Sequence, residues 1–146
     1  MQNPATRVDF YVLETADEAA RLRFACRLIE KAYKLQHRIY AHTGSAQQSK
    51  QLDDLLWSFR DLSFVPHGVQ GEKDAAEAPV VIGHEMPDNG KTDVLINLAD
   101  EAPAGYDRFK RVIEVIDASE TGRNAGRARF GQYRNSGLEP ETHKIN

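Results

Sequence analysis

The spacing of apolar residues changes repeatedly along the chain, and each change predicts an element. Arg7 to Leu13 (RVDFYVL) is short and rich in β-branched and aromatic residues, which predicts a strand. Thr15 stands three residues before Glu18, a capping-box spacing that predicts a helix start. Apolar residues then recur at Ala20, Phe24, Leu28, Ala32 and Leu35, widened by Leu22, Cys26 and Ile29 into one broad helical stripe. A short strand is predicted at Arg38 to Ala41. Gly44-Ser45 turns the chain, and Ser45 is placed to cap a second helix through Leu56, with Leu52, Leu55, Leu56 and Trp57 as its apolar face.

Three strand-like runs follow, at Ser63 to Pro66, Pro79 to His84 and Asp93 to Leu98. The cores of the last two, VVIG and VLIN, are continuously apolar, as in strands covered on both faces. Gly68 to Ala78 and Met86 to Asp93 read as surface breaks. Arg111 to Asp117 (RVIEVID) predicts a strand. Asp117 with Glu120 then forms a second capping box, opening a helix that runs to about Asn135 and stops at Gly137. The order β-α-β-α-β-β-β-β-α predicts an α/β fold with a mainly parallel sheet, flanking helices, and one or two late crossovers without long helices.

With 146 residues, no internal repeat and no linker, the chain is expected to form one domain, residues 1–146. Hydrophobic residues at 40% and charged residues at 28% are globular composition, which argues against disorder. The apolar runs are far shorter than a membrane span needs, and Met1-Gln2-Asn3-Pro4 opens no signal peptide. One cysteine, Cys26, forms neither an internal disulfide nor a cysteine metal cage. The expectation is a soluble cytoplasmic protein with no membrane partner. A net charge of −3 argues against a surface that coats duplex DNA.

A sheet of this kind invites a search for phosphate loops, and the sequence lacks them. There is no Walker pattern, and no G-x-G-x-x-G follows the first strand. The loop there, Glu14-Thr15-Ala16-Asp17, has no glycine to admit a pyrophosphate and two acids to repel one. No histidines pair at i, i+4 and none has metal-ligand spacing, so no metal or other cofactor is expected. Cys26, among Leu22, Phe24 and Ile29, reads as a buried thiol. Asp53-Asp54 reads as a solvated helix face.

Two segments stand out. Trp57, Phe59 and Phe64 fall within eight residues, either as core or as an exposed anchor for a protein partner. Thr121 to Arg134 (TGRNAGRARFGQYR) holds four arginines and no acid. On a helix, Arg123, Arg127, Phe130 and Arg134 share one face. Guanidiniums beside an aromatic suit an acidic peptide with an apolar end, or single-stranded nucleic acid; a solvated face is the plain alternative.

The pieces Gln51-Leu52-Asp53-x-x-Leu56-Trp57, Ser63-Phe64-Val65-Pro66-His67, Asp93-Val94-Leu95-Ile96-Asn97-Leu98 and Arg127-x-Arg129-Phe130-x-x-Tyr133-Arg134 occur in that order. With Phe10-Tyr11-x-Leu13 and Phe109-x-Arg111-Val112-Ile113-Glu114-Val115, they make the chain resemble the DNA polymerase III chi subunit family nearly end to end. That resemblance implies a non-catalytic replication adaptor, Rossmann-like in topology but without a phosphate-binding loop. It implies two partners: the psi subunit of the clamp loader, held by Trp57, Phe64 and Phe59, and the acidic C-terminal tail of single-stranded-DNA-binding protein. The tail would meet Arg127 and Phe130, with Tyr133 and Arg134 as neighbours, and single-stranded DNA would be reached only indirectly. Family members often carry Tyr or Trp where this chain has Phe130, which removes a hydroxyl. A nucleotide-binding α/β enzyme and a direct single-stranded nucleic-acid binder are the competing readings.

Overall fold

The computed structural model describes residues 6–59, 64–87 and 93–145. Seven strands form one sheet: β1 (Arg7–Leu13), β2 (Ile39–His42), β3 (His67–Val69), β4 (Val80–Gly83), β5 (Val94–Asn97), β6 (Arg111–Ile116) and β7 (Glu141–Ile145). Their order across the sheet is β3-β4-β2-β5-β6-β1-β7, and every neighbouring pair is parallel. Helices α1 (Glu18–Lys34) and α2 (Ala46–Ser58) lie on one face, and α3 (Glu120–Asn135) lies on the other.

The two faces bury separate cores. Leu22, Cys26 and Ile29 of α1 and Leu52 and Leu56 of α2 pack on Ile39, Ile82, Ile96 and Ile113. On the reverse, Tyr133 of α3 joins Val8, Phe10, Tyr40, Leu95 and Val112 in a second buried cluster. The period of two along each strand sorts the residues: Ile113 and Val115 face α1, while Val112, Glu114 and Ile116 face α3. Burial pushes the Cys26 thiol up to about 12.

Several expectations shift in detail. The cap of α1 is Asp17, not Thr15; its carboxylate accepts from the Ala19 amide at 3.0 Å. Thr15 stays outside the helix, where its carbonyl accepts from the Ala118 amide at 2.8 Å. Ser45 caps α2 as expected. Ser119 caps α3, and Asp117 fixes it by accepting from both its amide (3.0 Å) and its hydroxyl (2.6 Å). Gly137 ends the helix in the left-handed conformation, φ 90°.

The strand expected at Ser63 to Pro66 is displaced. Ser63 lies outside the described residues, Phe64 to Pro66 are irregular, and the ladder begins at His67. Proline has no amide to give a ladder, so pairing starts after Pro66. Gly68, read as loop, is the middle of β3; a Cβ there would sit 2.8 Å from the Ala75 backbone, so glycine lets the single-turn helix Ala75–Glu77 pack down. Strand β7 was not anticipated. Its burial pattern is that of a mostly exposed edge, without an apolar run to announce it.

Candidate partner-binding surfaces

The first surface lies at the β3 edge. Trp57, in the last turn of α2, is 55% exposed, and Phe64, 64% exposed, lies beside it with ring centroids 5.7 Å apart. Trp57 therefore points away from the apolar face assigned to it, while Leu52 and Leu56 fill the core. Phe59 is half-buried and packs on the core rather than joining the exposed pair.

The support beneath Trp57 comes from residues that sequence reasoning passed over. The indole packs on the His67 ring at 4.6 Å. The His67 side chain is itself buried, with Nδ1 2.6 Å from the Val65 carbonyl and Nε2 2.9 Å from the Asp53 carboxylate, the latter a close approach without hydrogen-bond alignment. Asp53 thus turns inward, contrary to the solvated face expected, and Asp54 alone stays out, 3.7 Å from Lys50. Asp53 and Trp57 of α2 are in this way joined to Phe64 and His67: Asp53 meets His67, and Trp57 packs on both His67 and Phe64.

The second surface lies at the β7 edge, on the α3 face. Phe10, Val12, Ile116, Gly126, Phe130 and Thr142 line a pocket of about 180 Å³ with Arg123 and Arg127 at its rim. Phe130 is half-buried, and its ring meets Phe10 at 5.2 Å. Gly126 leaves the floor open; a Cβ there would come within 3.0 Å of Ile116 Cδ1. Arg127 is exposed and donates to the Asn124 side chain at 3.0 Å, leaving it without a carboxylate partner among the described residues. Arg134 is exposed but does not line the pocket.

Two residues of the arginine segment are not available on the surface. Arg129 is buried, donating to Glu114 at 2.9 Å and to the Asp100 carbonyl at 2.7 Å. Tyr133, expected as a neighbour of the bound tail, is fully buried; its hydroxyl donates to Glu114 at 2.6 Å and its ring stacks edge-on to Tyr106 at 4.9 Å. Asn97 donates to the same carboxylate at 2.9 Å. Burial pushes the Glu114 carboxyl above its usual range, against the pull of Arg129, Asn97 and Tyr133. Burial, then the Glu114 charge, pushes Tyr133 up as well. These residues seat α3 so that Arg123 and Arg127 stay exposed and Phe130 lies half-buried at the pocket.

At the carboxyl ends of the strands, where open α/β sheets take ligands, Arg21 donates to the Val115 carbonyl at 2.8 Å and the Leu98 carbonyl at 3.2 Å. The chain's own guanidinium covers the strand ends there.

Asp9, Glu141 and His143 bring ligand atoms within 4.8 Å of one another, the spacing of a possible metal site. The buried Asp9 carboxylate is already met by Arg111 at 2.8 Å, His143 at 2.9 Å and Arg7 at 3.0 Å. Two guanidiniums oppose a further cation, so the cluster reads as an ion-pair network that ties β7 to β1. Burial pushes the Asp9 carboxyl up, but the bonds from His143 and Arg111 and the charges of Arg111 and Arg7 outweigh it and hold it below the usual range.

The fold is an α/β scaffold with an exposed aromatic pair at one edge of its sheet and an arginine-rimmed apolar pocket at the other. In comparison with known proteins, residues 5–141 match the family profile described as DNA polymerase III chi subunit, HolC. The chain is 44% identical over 140 residues to the DNA polymerase III subunit chi of Pseudomonas aeruginosa, covering 96% of this chain and 97% of that one. It is 25% identical over 138 residues to the Escherichia coli subunit, covering 91% and 94%. The C-terminal domain of the DEAD-box protein Dbp5 shares the fold, with a TM-score of 0.58, 13% identity, and coverage of 94% of this chain and 90% of that one. The chain belongs to the DNA polymerase III chi subunit family, whose members are non-catalytic accessory proteins of DNA replication. Among the described residues no helix is long and apolar enough to cross a membrane.

Proposed function

We propose that this chain acts as a single-domain bridge that holds the psi subunit of the clamp loader on the Trp57–Phe64 patch and the acidic C-terminal tail of single-stranded-DNA-binding protein on the α3 pocket. The observation that carries the reading is the pairing of two unlike surfaces at opposite edges of one sheet, one aromatic and one rimmed by arginine. Large aromatic side chains exposed side by side are the usual core of a protein interface. At the other edge, the apolar pocket suits a terminal apolar side chain, while Arg123 and Arg127 suit the carboxylates before it. Arg134 extends the positive rim, and Phe59 and Tyr133 act from behind, by packing. Attachment at both ends raises the effective concentration of each partner, so both contacts can be modest. Single-stranded DNA is reached only through its binding protein.

Two variants separate the surfaces. Trp57→Ala should abolish capture of psi and leave the tail peptide bound. Arg127→Ala should weaken the tail peptide about tenfold or more and leave psi bound. Tail affinity unchanged by Arg127→Ala, or psi capture unchanged by Trp57→Ala, would reject the corresponding assignment.

A further inference from the structure

Helix α1 carries a second basic stripe, on the face of the sheet away from α3. Arg23, Arg27, Lys31 and Lys34 follow one another at i, i+4, i+8 and i+11, and all four are exposed. Arg23 lies 3.9 Å from Asp17 and Lys34 lies 3.9 Å from Glu30, whereas Arg27 and Lys31 have no ion-pair partner among the described residues. Lys31 and Lys34 sit in the last turn, where the helix dipole favours cations. That dipole gives no reason for Arg23 and Arg27, and Lys110 and Arg111, at the start of β6, line the same place, Arg111 while held by Asp9 at 2.8 Å.

Between the stripe and the sheet runs a groove of about 150 Å³, whose lining includes Tyr11, Leu28, Lys31, Leu35, Lys110 and Arg111. Leu35, at the end of α1, is 62% exposed, although the helical pattern had placed it in the core. Asp93 is the one acid in the lining, and it already lies 3.6 Å from Lys110 and 3.9 Å from His37, so the basic rim has shown how it takes a carboxylate.

We infer that this groove docks an acidic protein segment that carries a branched aliphatic side chain between its carboxylates. The aliphatic group lies against Leu28 and Leu35, and the carboxylates pair with Lys31, Arg27 and Lys110. Charge complementarity selects the occupant: the chain carries a net −3, yet this rim is cationic. A nucleic acid suits the site less well. Base binding needs an open aromatic face, and Tyr11 is stacked on His143 at 4.9 Å and packed against Phe24 at 5.7 Å.

The test is fluorescence anisotropy on the full chain with a fluorescein-labelled, C-terminally amidated peptide, Gly-Ser-Asp-Glu-Leu-Asp-Glu-Leu-Gly. The amide removes the terminal carboxylate that the α3 pocket would prefer. Leu35→Asp and Lys31→Glu, both at exposed positions, should each weaken binding about tenfold or more, Arg127→Ala should leave it unchanged, and replacing both leucines of the peptide by serine should abolish it. Absence of binding to the unaltered chain, equal binding by the Leu35→Asp and Lys31→Glu variants, or loss confined to Arg127→Ala would overturn the inference. So would an oligothymidylate that binds more tightly than the peptide and loses its affinity in Lys31→Glu.

Discussion

The buried pair Arg129–Glu114 makes a demanding prediction, because it seats the helix that carries one of the two proposed binding surfaces. Consider Arg129→Met. The change removes a charge-assisted bond of 2.9 Å to Glu114 and a 2.7 Å bond to the Asp100 carbonyl, and it leaves a carboxylate with no exposed surface. Breaking a buried pair by removing one member costs about 3–5 kcal/mol. Asn97 and Tyr133 still donate to Glu114, so the lower end, about 3 kcal/mol, is expected. For a chain of this size that is a fall in Tm of roughly 10 °C.

Glu114→Gln in the same background removes the stranded charge and should recover about half the loss, giving a clear coupling in a double-mutant cycle by urea denaturation. The pH dependence has a fixed sign. Burial already raises the Glu114 carboxyl, and loss of Arg129 raises it further. The penalty in Arg129→Met is therefore full at high pH and shrinks as the pH falls through the raised folded value toward the unfolded one. A loss below about 1 kcal/mol, no recovery with Glu114→Gln, or a penalty identical at about pH 8 and pH 5 would refute the reasoning.

Three further outcomes follow from the geometry. Asp53→Asn should loosen the His67 seat under Trp57, seen as faster fluorescence anisotropy decay of this sole tryptophan and roughly three- to tenfold weaker psi binding, with little change in Tm. Asp9→Asn should destabilise the fold by roughly 1–3 kcal/mol and speed amide hydrogen exchange in Glu141–Ile145; in the unaltered chain the Asp9 contribution is full above its ordinary value of 3.8 and is lost as the pH falls through its lowered folded value. Cys26, buried and raised to about 12, should react with a disulfide reagent only when urea unfolds the chain, so rapid labelling of the native protein would contradict its place in the core.

What the sequence could disclose divides along physical lines. VVIG and VLIN declared themselves as buried strands because both their faces are covered, and Ser45 announced α2 because a cap is a local event. Strand β7 did not, since its residues are held by pairing with β1 and by Asp9, a contact 134 residues away in sequence. The arginines of α3 were visible as a group, but their division was not: Arg129 turns inward because Glu114 waits on β6, and no spacing within the helix reports that. Trp57 and Phe64 were legible as a pair, whereas the role of Asp53 depends on a histidine brought round by the next strand. Leu35 was misplaced because period alone cannot tell where the sheet beneath a helix ends.

Seven strands in parallel register set the two candidate surfaces far apart. Six steps of about 4.8 Å separate the outermost strands, roughly 29 Å from rim to rim. At that separation, substitutions at one end should combine with those at the other by simple addition. On the bridging role proposed above, each end would be free to drift with its own associate across lineages, and the distance between them would be fixed by backbone pairing rather than by the side chains that do the holding.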